Sequence, residues 1–483
     1  MRPRKHFTPR VLIQCPPMTD DGLPAPARQH AMSAIVLGLV LAVLDGTIVN
    51  LALPSIARDL NASAAQSVWV VNGYQLATLA LLLPLATLGD RIGYRRVYFG
   101  GLALFMAASL ACLLATTLPA LAAARAVQGM GAAGIMSVNT ALVRLIYPRA
   151  MLGRGVAINS LTVAAASVAG PTVAAAILSV APWPWLFVLN LPLGALVLAL
   201  GYRALPHNPA RPPGAPPLAP LSPADVLLNV AMFSLVFLGA DLLGVRHGDA
   251  PGPWAAGALL LAAGIAVGAF YVRRQWAQPM PLLPIDLMRI PLFRLSIGTS
   301  VTAFAAQMLA FISLPFLLLE TYGRSHLQAG LLITAWPLAI VVVAPIAGRL
   351  IGRFHNGLLG GLGLALMAAG LVLLALLPDD PGNADIVWRM LLCGAGFALF
   401  QSPNNHTIVT SAPPQRSGAA SGMLGTARLT GQTLGAVLLA VIFSLFSAHD
   451  GRGPVAALVL AAVFAAVASA LSLLRVQHMA GPH

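Results

Sequence analysis

Two ionisable residues, Asp45 and Arg125, lie inside long apolar runs of this sequence. A carboxylate in the middle of a membrane span is costly unless it faces a water-filled cavity, is paired with a cation or is neutral. Burial also disfavours the charged form of a carboxyl group, so such a group can load and release a proton. We therefore predict that Asp45 is a proton-coupling and cation-sensing acid. The alternatives are a structural acid that caps a neighbouring helix and a charge held by Arg125.

A charged octapeptide at 89–96, with the sequence GDRIGYRR, separates two apolar runs. Gly89 and Gly93 lie four residues apart, and this spacing lets two helix ends come close together. Asp90 can accept hydrogen bonds from backbone donors at a helix end or pair with an arginine. Arginines cannot cross a bilayer cheaply, so the octapeptide is predicted to be a tight cytoplasmic hairpin. Its arginines are Arg91, Arg95 and Arg96.

Aromatic and amide side chains scattered along the apolar runs form a second candidate site. Aromatic faces with nearby amides suit a large, flat, lipophilic cation, through stacking and cation–π contact. The candidates for lining a substrate cavity are Tyr74, Gln75, Gln307, Phe311, Trp336, Asn404 and Asn405. For any single member of this set, the alternative is helix packing or an interfacial aromatic belt.

The composition indicates which elements must hold these residues. The chain has 483 residues, of which 58% are hydrophobic and 9% are charged, and its mean hydropathy is +0.84. A membrane-spanning helix needs about 20 apolar residues, and runs of that length recur along the chain. The sequence therefore predicts an all-α integral membrane protein with fourteen transmembrane helices.

Basic residues define the predicted orientation. The formal net charge is +14, but the arginines fall singly or in small groups in short loops, unlike a nucleic-acid interface. Of the 28 Lys and Arg residues, 21 lie in loops and helix ends assigned to the cytoplasm and four lie in loops assigned to the outside. Because loops rich in Lys and Arg stay in the cytoplasm, both termini are predicted to be cytoplasmic, in the inner membrane.

Short motifs recur between the two halves of the chain. Gly89-Asp90-Arg91-Ile92-Gly93 is echoed by Gly348-Arg349-Leu350-Ile351-Gly352, which lies 259 residues later. Arg125, followed by Gly129 and Gly131, is echoed 264 residues later by Arg389, followed by Gly394 and Gly396. The repeat predicts two similar six-helix bundles with an inserted two-helix hairpin between them. The Pro-rich stretch before the hairpin is predicted to be a flexible linker.

The predicted divisions follow from this repeat and from the apolar runs. They are an N-terminal tail (1–30), a six-helix bundle (31–205), a Pro-rich cytoplasmic linker (206–223), the inserted hairpin (224–273), a second linker (274–293), a second six-helix bundle (294–475) and a C-terminal tail (476–483).

Three stretches carry a resemblance to the major facilitator superfamily. The octapeptide 89–96 is similar to the loop signature of that superfamily. The stretch LDGTIVNLALP at 44–54 resembles the signature of its fourteen-helix drug:proton antiporter branch, and WPWLFVLNLPLG at 183–194 is similar to another segment of that branch. The resemblance covers nearly the whole chain. It implies the major facilitator fold and transport by alternating access.

The resemblance also implies roles for individual residues. It assigns Arg125 to proton transfer and makes Asp90 part of a cytoplasmic gate latch. Gly170 and Pro171 match the antiporter motif, which implies export. That match is partial, because alanines stand where the family prefers glycine, at Ala166, Ala174 and Ala175.

Few acids accompany Asp45 in the predicted spans. Asp241 lies near the end of an inserted helix and Glu320 closes another span, whereas Arg428 lies inside the thirteenth. Exporters of multiple cations in this branch often carry more acids in the C-terminal half. The case for dicationic substrates is therefore weakened, and monocations, zwitterions and neutral lipophiles stay open.

No pattern in the sequence predicts an enzyme, a cofactor or a metal site. Cys15, Cys112 and Cys393 are far apart, and no GxxxxGK[ST] loop is present to hold ATP. We predict a proton-coupled exporter of lipophilic, cationic compounds, whose partners are a small-molecule substrate, protons and the lipid bilayer, with no nucleic acid and with a monomer as the working assumption. Two alternatives stay open: a dedicated exporter of one endogenous metabolite or lipid-like molecule, and a transport-inactive membrane sensor or scaffold.

Overall fold

The apolar runs form long helices in the computed structural model of the protein. It describes residues 22–148, 151–208, 221–244, 254–276, 278, 281–413, 416–448 and 450–479. The predicted tails and the Pro-rich linker lie largely outside these residues, as does Cys15. The helices are α1 (Ala25–Asp59), α2 (Ala64–Ser67), α3 (Trp69–Ile92), α4 (Tyr94–Leu113), α5 (Leu118–Ile146), α6 (Leu152–Leu178), α7 (Trp185–Val188), α8 (Asn190–Ala204), α9 (Pro223–Gly244), α10 (Trp254–Trp276), α11 (Pro291–Phe316), α12 (His326–Leu350), α13 (Asn356–Ala375), α14 (Asn383–Ser411), α15 (Ser417–Leu445) and α16 (Arg452–Met479).

Thirteen helical segments in the described residues are long and apolar enough to cross a membrane. In this count α2 continues into α3, and α7 into α8. The predicted span at 154–181 corresponds to α6, whose apolar part is the shorter stretch Ala165–Leu178. The predicted all-α membrane fold is therefore confirmed.

The repeat seen in the sequence is also visible in how the helices begin and pack. Ser63 and Gln66 form a capping box at the start of α2, and Ser325 and Gln328 form the same box at the start of α12. In such a box the serine and the glutamine side chains each satisfy a backbone N–H that the helix leaves free.

Helix pairs follow the same pattern in the two halves. In the first half α3 and α4 pack on α5, and α1 packs on α6 and α8. In the second half α12 and α13 pack on α14, and α11 packs on α15 and α16. Glycines allow α3 to approach α5 closely, and α12 to approach α14. A Cβ on Gly129 would lie 2.2 Å from the Tyr74 carbonyl oxygen, and a Cβ on Gly394 would lie 2.1 Å from the Trp336 carbonyl oxygen.

Helices α9 and α10 pack on each other, and α9 also packs against α3 and α15. Two hydrogen bonds join α9 to α3. The Asn229 side-chain amide donates to the Ala80 carbonyl oxygen at 2.7 Å, and the Trp69 indole N–H donates to Asp241 at 2.9 Å. The inserted pair is thus attached to the first half of the molecule by polar contacts at two positions along α3.

Candidate functional site

Asp45 lies inside the first half of the molecule in a network of polar side chains. It is fully buried on α1 and forms an ion pair with Arg125 of α5, whose side chain is 1% exposed. The Asn190 side-chain nitrogen donates to Asp45 Oδ1 at 2.6 Å, and that of Gln128 donates to the same atom at 3.1 Å. The Asp45 charge is therefore both paired and hydrogen-bonded, as a buried carboxylate requires.

Arg125 is held rigidly by contacts from several elements. Its Nε donates to the Val70 carbonyl oxygen at 3.1 Å, and its Nη1 donates to Gln128 Oε1 at 2.6 Å. The guanidinium lies 4.3 Å from the ring centroid of Tyr74 and 5.8 Å from that of Phe187. A planar, forked cation can make all of these contacts at once, whereas a lysine could not.

Two members of this network were not identified by sequence reasoning. Asn190 belongs to the stretch 183–194, which resembles a segment of the drug:proton antiporter branch. The signal that the sequence offered for its role was a single amide in an apolar run. Ser109 of α4 accepts hydrogen bonds from Gln128 at 2.8 Å and from Asn190 at 3.3 Å. A serine in a membrane helix carries no such signal, because its hydroxyl group usually bonds to its own helix backbone.

A cavity of about 480 Å³ lies between the two halves. Its wall contains five of the residues predicted to line a substrate site, together with other polar and aromatic residues. The predicted members are Tyr74, Gln75, Gln307, Phe311 and Asn405. The others include Asn50, Phe304, Phe397, Gln401, Arg428 and Gln432.

The cavity continues into a second space of about 390 Å³ that reaches the octapeptide. Met136, Phe304 and Arg428 are among the residues that line both spaces. The second space extends to Asp90 and Arg144. The cavity is therefore open towards the end of the molecule that carries the octapeptide, which we call the loop end.

Two predicted members of the cavity wall, Trp336 and Asn404, lie elsewhere in this structure. Trp336 is fully buried, with its ring centroid 5.1 Å from that of Phe311, so that Phe311 and not Trp336 meets the cavity. Asn404 is also buried and donates to Ser300 Oγ at 2.8 Å. Successive helical residues point about 100° apart, and so Asn405 faces the cavity while Asn404 faces the bundle.

Asp45 is not part of the cavity wall either. Gly46 and Thr47, the next two residues of α1, line the cavity, whereas Asp45 points into the first half. Tyr74 lies between the ion pair and the cavity, since its ring stacks on Arg125 and also lines the cavity. Its hydroxyl group donates to the Ala42 carbonyl oxygen at 3.0 Å. Tyr74 is therefore the physical link between the ion pair and the cavity.

Asn208 fastens the octapeptide to the segment that follows α8. Its side chain accepts from the Tyr94 backbone N–H at 2.9 Å and donates to the Gly89 carbonyl oxygen at 3.3 Å. Gly93 has a φ of 105°, a conformation that favours glycine between two helices that meet so closely. Asp90 accepts a hydrogen bond of 2.6 Å from the Tyr94 hydroxyl group. The geometry places the predicted gate residues together at the loop end.

The arginines of the octapeptide have different environments. Arg95 lies between the rings of Phe99 and Tyr202 and donates to the carbonyl oxygens of Tyr202 and Leu205. Arg96 donates to the Ile92 carbonyl oxygen at 3.2 Å, whereas the Arg91 side chain is exposed at the end of α3. Arg95 thus joins α4 to α8, a role beyond anchoring the loop.

Gly170 and Pro171 lie where α6 is squeezed between α1 and α12. A Cβ on Gly170 would lie 2.1 Å from Thr47 Oγ1, and one on Gly330 would lie 2.8 Å from the Pro171 carbonyl oxygen. Further along, Ser55 hydrogen-bonds His326 at 3.0 Å. The two halves are therefore in contact at the end opposite the loop end, which we call the far end.

A cavity between two repeated helical halves, closed at one end and open at the other, is typical of secondary transporters. The sequence profile described as the Major Facilitator Superfamily matches residues 35–436 and again residues 295–482. The chain belongs to this family, and it is a multi-pass membrane transporter.

Several relatives share most of the chain. It is 53% identical over 461 residues to the uncharacterized transporter YebQ of Escherichia coli (strain K12), covering 95% of this chain and 98% of that one. It is 32% identical to the multidrug efflux pump LfrA of Mycolicibacterium smegmatis, covering 86% and 81%. It is 28% identical to the riboflavin transporter RibZ of Clostridioides difficile, covering 85% and 87%.

Solved structures share the fold at low sequence identity. A bacterial homolog of the human lysosomal transporter Spinster, in an inward-facing and unoccupied conformation, superposes with a TM-score of 0.65 at 17% identity, covering 94% of this chain and 98% of that one. The D-xylose–proton symporter superposes with a TM-score of 0.65 at 14% identity, covering 92% and 97%. These likenesses show the fold alone.

Proposed function

We propose that the protein is a proton-coupled exporter of lipophilic small molecules in the fourteen-helix drug:proton antiporter branch, located in the inner membrane with both termini in the cytoplasm. The observation that carries this proposal is the buried ion pair of Asp45 and Arg125, which touches the cavity through Tyr74. In a buried ion pair beside a substrate cavity, the carboxylate can accept a proton. The guanidinium then loses its counter-charge and can change its contacts.

The arrangement supports indirect coupling between proton and substrate. When Asp45 takes up a proton, Arg125 loses its counter-charge and its position under the Tyr74 ring is weakened. Tyr74 bonds α1 and lines the cavity, so its shift changes the substrate site. Protonation from outside then favours release, and deprotonation favours loading from the cytoplasm or inner leaflet. The transmembrane potential contributes about 2.3 kcal/mol per charge per 100 mV to such a cycle.

The direction of transport is supported by the relatives and by α6. LfrA is an efflux pump by name, and other relatives at about 30% identity are named as resistance proteins. Gly170 and Pro171 lie where α6 contacts α1 and α12 near the closed far end. This position suits a motif that controls opening to the outside.

A dedicated exporter of one metabolite is the second candidate. One relative is named for a single substrate, riboflavin. Such a transporter would carry one compound, and unrelated dyes would not compete with one another for transport. A broad exporter would transport several dyes. A transport-inactive sensor or scaffold would transport none of them.

The test is dye efflux from proteoliposomes with an imposed proton gradient, using ethidium and fluorescein methyl ester as unrelated probes. We expect gradient-dependent transport of at least one of the two dyes by the parent and its loss in Asp45→Asn, because an amide cannot take up the coupling proton. Asp225→Asn is the matched control, since Asp225 is also a buried acid paired with an arginine but lies on the inserted hairpin. Equal transport by the parent and Asp45→Asn would overturn the coupling role.

A further inference from the structure

Arg428 of α15 is a cation in the wall of the cavity between the two halves. It lines both the central space and the space that leads to the loop end. Its Nε is buried and has no hydrogen-bond partner. Within the part of the chain that the structure describes, no carboxylate lies within ion-pair distance of it. Arg428 therefore stands in marked contrast to Arg125, which pairs with Asp45.

The surrounding wall adds no negative charge. Among the described residues that line the central space, Arg428 is the one charged side chain, and the other polar groups are amides and hydroxyl groups. Asp45 points away from the cavity and is neutralised by Arg125. At the mouth, Asp90 and Arg144 have opposite signs. The described wall of the whole passage therefore carries a net positive charge that is concentrated at Arg428.

The Arg428 side chain is partly exposed to the cavity, while its Nε is buried. A cation inside the membrane without a counter-ion is costly, and the cost falls when a ligand supplies the opposite charge. A guanidinium binds planar or tetrahedral anionic groups through several parallel N–H donors. Side-chain amides of Gln401, Asn405 and Gln432 share the same wall and can donate to such a group.

The rest of the wall suits a flat apolar body. Phe304, Phe311 and Phe397 line the central space together with Tyr74. Its volume of about 480 Å³ lies in the range of sites that enclose a drug-sized molecule. Aromatic rings stack on flat ligands whatever the sign of their charge, so the charge at Arg428 decides which ligands are preferred.

We propose that the substrates are flat, lipophilic organic anions whose acidic group pairs with Arg428 while the apolar body lies against the aromatic wall. This proposal rests on the proposed exporter function and names its substrate class. It departs from the expectation of cationic substrates, which the aromatic and amide residues suggested before the position of Arg428 was known.

The test compares two dyes that share a xanthene skeleton and a methyl ester. Fluorescein methyl ester is an anion at mildly alkaline pH, and tetramethylrhodamine methyl ester is a cation. Binding to the purified full chain in lipid nanodiscs is measured by fluorescence anisotropy. The variants are Arg428→Gln, which removes the charge, and Arg428→Lys, which retains it. Arg452→Gln is the matched control, since it removes an equal charge from an exposed position at the start of α16.

We expect the parent to bind the anionic dye more tightly than the cationic dye. Arg428→Gln should weaken binding of the anion about 10- to 100-fold, as expected for a lost hydrogen-bonded ion pair. It should leave binding of the cation unchanged or strengthen it. Arg428→Lys should retain part of the affinity for the anion, and Arg452→Gln should bind both dyes as the parent does.

Thermal stability gives a second readout that does not depend on either dye's brightness. We expect Arg428→Gln to melt at or above the parent temperature without ligand, because it removes a charge inside the membrane that lacks a counter-ion. The anionic dye should raise the melting temperature of the parent and not of the variant. A variant that melts lower, because Arg428 supports the fold, would count against the proposal.

Other outcomes separate this proposal from the exporter function. Tighter binding of the cation by the parent, no binding of the anion, or equal loss of both dyes in Arg428→Gln would overturn the proposed substrate class. Proton-driven ethidium efflux alongside any of these results would leave the exporter function intact. Anion binding through Arg428 without gradient-driven transport would instead support the substrate class and overturn the proton coupling.

Discussion

At the scale of single residues, the network around Asp45 determines what a substitution does. The ion pair is buried on all sides, and each oxygen of the carboxylate has a donor. Removing one partner of a buried pair leaves an uncompensated charge, which costs more than the pair itself contributes. The members of this network should therefore tolerate substitution poorly.

Arg125→Lys tests whether the shape of the arginine matters beyond its charge. The lysine cannot keep the contact with Val70 and the stacking on Tyr74 together with the ion pair. We expect a lower melting temperature and little gradient-driven transport. Arg389→Lys is the control, because Arg389 is the counterpart of Arg125 in the repeat and pairs with Asp385 on its own helix. If Arg125→Lys behaves like Arg389→Lys, the geometry of the guanidinium is unimportant.

Asn190→Ala tests the hydrogen bond that sequence reasoning missed. It removes the donor 2.6 Å from Asp45 Oδ1, and we expect a loss of about 1–3 kcal/mol of stability. Asn139→Ala is a matched control, since Asn139 is also buried but its side-chain atoms lack partners. Denaturation of both variants in the same detergent gives the comparison. Equal destabilisation would mean that packing, and not the bond to Asp45, explains the effect.

At the scale of helices, small residues decide how closely the two halves meet at the far end. Gly330 of α12 lies against α6, where a Cβ would be 2.3 Å from the Ala175 Cβ. Thr172 and Thr334 hydrogen-bond across the same contact at 2.8 Å. In this conformation α6 and α12 are therefore in close contact. Opening at the far end must separate them.

Gly330→Ala should shift the population towards conformations that are open at the far end. The added methyl group cannot fit without separating α6 and α12, and a conformation that is strained becomes less populated. The measurement is the rate at which a maleimide modifies a cysteine introduced at Thr334. We expect faster labelling with Gly330→Ala than with Gly348→Ala, a control on the same helix where a Cβ would meet nothing within 4 Å. Identical rates would show that this contact does not limit opening.

At the scale of the whole molecule, the distribution of arginines and the position of the cavity opening coincide. The loops rich in arginine and the octapeptide lie at the end towards which the cavity opens. If the positive loops are cytoplasmic, the conformation described is open to the inside. This orientation is the one in which an exporter loads its substrate.

Labelling of whole cells tests the orientation. His355 is exposed at the start of α13, at the loop end, and Gly382 is exposed at the start of α14, at the far end. In a Cys15→Ser background, with Cys112 and Cys393 buried, a membrane-impermeant maleimide should label Gly382→Cys in intact cells. It should label His355→Cys only after permeabilisation. The reverse pattern would invert the proposed topology.

The sequence by itself determined the class of protein, because about 20 apolar residues in a row have few stable structures other than a membrane helix. It also pointed to Asp45 and Arg125, since charged residues are rare in such runs. The repeat was readable because short glycine and arginine motifs survive in both halves. The octapeptide and the Gly170-Pro171 pair were recognisable for a different reason, their resemblance to motifs of the superfamily.

The tertiary structure decided which way each polar side chain points. Membrane helices are apolar on nearly every face, so they lack the polar and apolar stripes that reveal the buried side of a soluble helix. The sequence therefore could not distinguish Asn405 in the cavity from Asn404 in the bundle, or place Asn190 beside Asp45 from 145 residues away. It located Arg428 in a span. Only the packing of α15 against α3 and α11 shows that this side chain faces the cavity and that its Nε has no hydrogen-bond partner.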